Sequence, residues 1–161
     1  MQSGQSVFVL LALMILMPVN GIAGENSASN YYFKVGAYTH YNSSPNYQGT
    51  PNLIAIERHR ANEQFMGLAL FPNSFGQFSQ VVYYGWSFPL PRVHEGVHFE
   101  FSVGFIHGYK GEHRDAIPFN HSGIAPALLP GLGYQQAHWG VDMVLLGSAG
   151  VLFTLDRRFG D

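Results

Sequence analysis

The chain has no cysteine, which excludes a disulfide scaffold and a thiolate metal site. It is also poor in charge. Asp, Glu, Lys and Arg make up 11% of its residues, against about 25% in a soluble domain. Part of its surface must therefore face something other than water. With a formal net charge of -2 and no basic block, it lacks a nucleic-acid footprint. Residues 7–19 form an apolar run of thirteen residues, short of the roughly 20 that a membrane-spanning helix needs. No later run comes near that length. If the mature chain enters a membrane, it does so as strands.

What is present fits that route. Hydrophobic residues reach 47%, aromatics 15%, and there are 19 glycines among 161 residues. That mixture suits short tilted strands with aromatic girdles. The apolar run is followed by small residues at Gly21–Ala23, so residues 1–23 read as a signal peptide cleaved after Ala23. Residues 24–161 are then one domain.

In the mature chain, alternation with period two marks strands. Residues 31–41 alternate, with Lys34 and His40 on the face taken as interior. Further strands are expected at 52–58, 63–70, 77–88, 96–106, 122–134, 138–146 and 148–159. The cleanest is 96–106, where Val97, Phe99, Phe101, Val103 and Phe105 oppose His98, Glu100, Ser102 and Gly104. A Phe/Val face opposite His, Glu and Ser is what lipid outside and a polar lumen inside would select. Pro126 and Pro130 interrupt the sixth strand, and proline gives no ladder donor, so it must be locally unpaired there. An even count of eight closes without an edge. The expected fold is all-β, an eight-stranded antiparallel transmembrane β-barrel preceded by a signal peptide. Turns alternate short and long along the chain, so His40 and Ser74 fall at the same end.

The stretch 71–86 carries the candidate chemistry. Its turn lifts Ser74 out of a strand end, and its inner face runs Ser79, Val81, Tyr83, Gly85. His40 could act as base toward the Ser74 hydroxyl in acyl transfer. Asn73 beside the serine could orient the imidazole by hydrogen bonding but not by charge. His98 and Glu100 share a face, yet no third ligand at tight spacing completes a zinc site. They read as a hydrogen-bonded lumen cluster. Arg114 and Asp115 read as a loop salt bridge, or as a contact to lipopolysaccharide phosphate. No metal or cofactor is expected.

Three stretches together, residues 38–41, 71–86 and 117–134, resemble the lipid A palmitoyltransferase family of outer-membrane enzymes. They occur in that family's order and cover most of the mature chain in outline. The resemblance implies an eight-stranded barrel of the Gram-negative outer membrane that moves an acyl chain from a phospholipid donor to lipid A of lipopolysaccharide. By position, His40 and Ser74 match the essential histidine and serine. Gly85 matches the glycine that floors the acyl pocket, with Tyr83 beside it on the same face. The prolines of the sixth strand match the family's lipid access gap. Asn73 stands where the family usually has aspartate, and residues 24–30 are too short for its usual N-terminal amphipathic helix. The barrel is expected to be a monomer. Two other readings use the same residues: a non-catalytic lipid-binding or structural barrel, and a lipid A deacylase. A solute pore is disfavoured, because eight strands enclose room only for side chains or one small ligand.

Overall fold

The computed structural model describes residues 29–159; the expected signal peptide, residues 1–23, lies outside them. Eight strands follow in chain order: β1 (Asn30–His40), β2 (Asn52–His59), β3 (Gln64–Pro72), β4 (Phe78–Pro89), β5 (Val97–His107), β6 (Ile124–Gln136), β7 (Trp139–Leu145) and β8 (Gly150–Phe159). Each pairs antiparallel with its neighbour, and β8 returns to β1, closing the barrel. The strand limits lie within about two residues of those the alternation predicts. One short element was not legible: a 3-10 turn at Gly111–Ala116 in the β5–β6 loop.

The pleat sorts the residues by environment. Phe33, Val35, Ile54, Phe105, Leu128, Leu132, Val141, Phe153 and Leu155 point outward and are exposed. Such an apolar belt would be a liability in water, and is what lipid requires. Inward residues divide into two levels. Toward the end bearing His40, the lining is apolar: Ala55, Ala69 and Val81, with Leu53, Phe71, Ile106 and Leu129 around them. These last four face inward yet are only partly buried, so space remains in that part of the lumen.

The other level is ionic. Lys34 Nζ lies 2.7 Å from Asp142 Oδ2 and 3.0 Å from Glu57 Oε2, tying β1 to β7 and β2 through the interior. Tyr83 donates its phenol proton to Glu57 Oε1 at 2.7 Å, and Thr154 donates to Asp142 Oδ2 at 2.9 Å. Buried charges persist only when paired and hydrogen-bonded in this way. Two aromatic rings complete the level. Tyr83 lies over Gly67 and Phe65 over Gly85, each glycine being the ring's direct cross-strand partner. A β-carbon at either glycine would overlap the ring.

The β6–β7 seam departs from full closure. β7 stops at Leu145, so β6 pairs with it only from Gly131 to Gln136. Against β5, the pairing of β6 runs unbroken from Ile124 to Tyr134. The Gly123 carbonyl accepts the Gly108 N–H, so odd-numbered β6 residues bond β5 and even-numbered ones face β7. Pro126 and Pro130 both face the unpaired side. The local unpairing expected at the prolines is thus confined to one edge.

The connections at residues 41–51, 73–77, 108–123 and 146–149 lie at the His40 end, and those at 60–63, 90–96 and 137–138 at the other. The apolar belt, the ionic level of the lumen and the return of β8 to β1 make this an outer-membrane-type barrel.

Candidate active site

Strand β1 ends on His40, and the β3–β4 turn begins one residue after Pro72. The pairing of β2 with both β1 and β3 brings these ends together, so that His40 Nε2 stands 2.7 Å from Ser74 Oγ. Ser74 is buried. A hydroxyl has one proton to donate and can accept from others. When Ser74 donates to Nε2, its oxygen is left open to acceptance, and the Tyr109 phenol lies close to it. The Tyr38 phenol, also near the serine, gives its single proton to the Pro72 carbonyl at 2.8 Å. Burial pushes the Tyr109 phenol up to about 12, so this loop residue remains a proton donor at neutral pH.

Among the described residues the imidazole is held by aromatic rings and by no carboxylate. Tyr47, from the β1–β2 loop, stacks on His40 with centroids 4.3 Å apart and planes at 29°. Tyr38 meets it edge-on at 5.3 Å. A stacked aromatic face favours a cation by about 0.5–1 kcal/mol at an exposed site. Tyr47 can therefore stabilise the imidazolium that forms when His40 takes a proton.

The expected role of Asn73 in orienting His40 needs correction. Asn73 is wholly buried, and its side-chain oxygen accepts the N–H groups of Phe75 and Gln77, each at 3.0 Å. Its backbone closes the same turn, donating to the Gln77 carbonyl at 2.8 Å and accepting from Gly76 at 2.9 Å. Asn73 is an Asx-turn residue that fixes where Ser74 emerges. An aspartate carboxylate would accept the same two amides. Asn73→Asp should therefore keep the barrel, with a stability change below about 1 kcal/mol. Asn73→Ala, which strips two buried amides of their acceptor, should lower stability by about 1–3 kcal/mol and scatter the serine. Urea unfolding of both variants is the check.

The β1–β2 loop seals the turn from outside. Gln48 and Gly49 donate to the Ser74 carbonyl at 2.8 and 3.1 Å, and a β-carbon at Gly49 would overlap the Asn73 carbonyl. Phe75 stacks on His113 at 3.9 Å, which pins the 3-10 turn against the rim.

The other candidate residues lie elsewhere. Tyr83 sits in the lumen on Glu57, below the apolar level. Gly85 faces inward as the alternation requires, but no hollow lies over it, because Phe65 fills that space. Phe65 is in turn stacked on His59 at 4.9 Å. Arg114 is outside, on the 3-10 turn, with Nε 3.5 Å from Asp115 Oδ1. Tyr38, Tyr47 and Tyr109 were not picked out from the sequence. Only Tyr38 carried a signal, two residues before His40 on the same strand face.

No family model and no curated protein matches the chain. Among solved structures, it is similar to the attachment invasion locus protein Ail of Yersinia pestis, solved in complex with the heparin analogue sucrose octasulfate. The identity is 17%, over 83% of this chain and 97% of that one, with a TM-score of 0.31. The pairing of the strands and the surface they present make the chain an eight-stranded barrel of the outer-membrane type.

Proposed function

We propose that this barrel is an acyltransferase of the Gram-negative outer membrane that moves a palmitoyl-like chain from a phospholipid to lipid A, as its resemblance to the lipid A palmitoyltransferases suggests. The observation that carries the reading is the 2.7 Å contact between His40 Nε2 and Ser74 Oγ at the rim of an apolar upper lumen. His40 takes the serine proton as Oγ attacks the ester carbonyl, and returns it to the departing lysophospholipid. The acceptor hydroxyl then attacks the acyl-serine, with His40 again as base. Tyr109, near the serine, would donate its phenol proton to the oxyanion of each tetrahedral intermediate.

The lumen suits one fatty tail. Its apolar level runs from Phe71 past Val81 and stops at Tyr83, above the Lys34–Glu57 pair. A hydrocarbon tail has no reason to pass a buried ion pair, so Tyr83, rather than Gly85, would end the slot. That is two residues, or about 7 Å of strand, nearer the rim. The unpaired β6 edge above Gly131 is the natural way in from the bilayer.

The test uses the mature barrel refolded in detergent with lipid A and a phospholipid bearing deuterated acyl chains. Mass spectrometry should find the deuterated chain on lipid A, matched by lysophospholipid. Loss of an acyl chain from lipid A without gain would instead indicate a deacylase. No change in either lipid would leave a non-catalytic barrel.

A further inference from the structure

We infer that the lower lumen holds a divalent transition-metal site formed by His98, Glu100 and Asp142, a function separate from the rim chemistry and independent of it. His98, Gly133 and Asp142 are consecutive partners in one row across β5, β6 and β7, and Glu100 lies two residues from His98 on the same face. Sequence spacing could not supply the third ligand, because Asp142 arrives from another strand. His98 Nε2 stands 3.1 Å from Glu100 Oε1 and 3.6 Å from Asp142 Oδ1. Donor atoms each about 2.0–2.1 Å from a tetrahedral zinc stand about 3.3 Å apart; these two separations bracket that value.

Four features point to a bound cation. First, His98 Nδ1 lies 3.2 Å from the Gly96 carbonyl, so that nitrogen carries the proton. Nε2 then faces two carboxylate oxygens, an arrangement that calls for positive charge between them, supplied by a metal ion or by a second ring proton. A ligating histidine commonly anchors its other N–H on a backbone carbonyl in this way. Second, the ligand oxygen of Asp142 is aimed by its sibling, since Oδ2 is held by Lys34 at 2.7 Å and Thr154 at 2.9 Å.

Third, the space between ligands is kept bare. A β-carbon at Gly133 would overlap both His98 Nε2 and Asp142 Oδ1. Fourth, Asp156 lines the same cavity of about 250 Å³. Asp156 is 2% exposed, and its Oδ1 has no hydrogen-bond partner among the described residues. Together with Glu57, four carboxylates lie around this level; among the described residues Lys34 bonds Glu57 and Asp142 and His59 meets Glu57 at 2.8 Å, but Asp156 Oδ1 is reached by neither. The cavity also touches Pro91 and Gly96 of the β4–β5 connection, so it opens at the end opposite the rim.

The donor set selects the ion. One imidazole nitrogen with two carboxylate oxygens suits zinc or manganese, with a water in the open position. Calcium and magnesium prefer shells of six or more oxygens. The probe is Co²⁺, titrated into the chelator-treated full barrel in detergent and followed by its visible d–d bands. The expected result is one saturable equivalent, displaced by Zn²⁺ and not by equimolar Mg²⁺. His98→Gln, Glu100→Gln and Gly133→Ala should each weaken binding by about tenfold or more. Heat-shifted gel mobility reports that each variant has closed its barrel, and the three act through different atoms, so one misfolded variant leaves two readings. Ser74→Ala should bind Co²⁺ like the wild type, whatever its effect on lipid chemistry. Absence of saturable binding, or an unchanged affinity in His98→Gln, would overturn the site and leave a hydrogen-bonded cluster with a protonated His98.

Discussion

Ser74→Ala and His40→Ala should each reduce acyl transfer to lipid A by at least about a thousandfold, while the barrel forms and migrates as the wild type does. The size follows from the division of labour. Without Ser74 the hydroxyl that meets His40 is gone. Without His40 the hydroxyl stays protonated near neutral pH and is a poor nucleophile. The two changes act on one proton-transfer unit, so the double variant should lose no more than either single one. Tyr47→Leu provides the graded companion. It keeps the base and removes the stacked face, so it should lower the rate by only about three- to tenfold. Appearance of the transferred chain by mass spectrometry measures all four. If Ser74→Ala retained most of the activity, the rim contact would be a structural hydrogen bond and the chemistry would lie elsewhere.

The second large effect is on stability. Lys34→Met should destabilise the barrel by about 3–5 kcal/mol, the usual cost of leaving buried charges without their partner. The ammonium touches Glu57 and Asp142, which lie on strands far apart in the closed wall. Its loss therefore strains opposite sides of the lumen together. Adding Glu57→Gln and Asp142→Asn to Lys34→Met should restore much of the loss, because the charges that needed the lysine are then gone. Tryptophan fluorescence from Trp86 and Trp139 during urea unfolding reads both, with a chelator present so that no metal substitutes for the ammonium. A loss below about 1 kcal/mol would mean that water in the lower lumen already solvates the carboxylates.

The wall of the barrel was legible because lipid and lumen impose opposite demands on alternate residues. The Phe/Val face of β5 could be read directly, and so could the inward placement of Lys34 and Gly85. The meeting of His40 and Ser74 was legible only as topology, since an even number of strands with alternating turns puts both at one end. Three things lay beyond the reach of pattern. Asn73 reads as an orienting group because it adjoins Ser74, whereas its oxygen serves the turn's own amides. The filling of the space at Gly85 depends on the register of β3, which brings Phe65 directly opposite. Asp142 completes the lower cluster through the register of β6 with β5 and β7, and no spacing within β5 could have announced it.

The short β7 has one further consequence. An open strand edge ordinarily recruits another chain, because its N–H and C=O groups are ready for pairing. Along the open part of β6 the positions that look toward the seam are 124, 126, 128 and 130; two are proline, and the Ile124 N–H is taken by the His121 carbonyl at 3.0 Å. Leu128 alone has an amide to offer there. On the proposed lipid route the seam would part without becoming a docking strip for a neighbouring barrel or an unfolded copy of itself, so tolerance of a broken wall and resistance to aggregation would come from the same pair of residues.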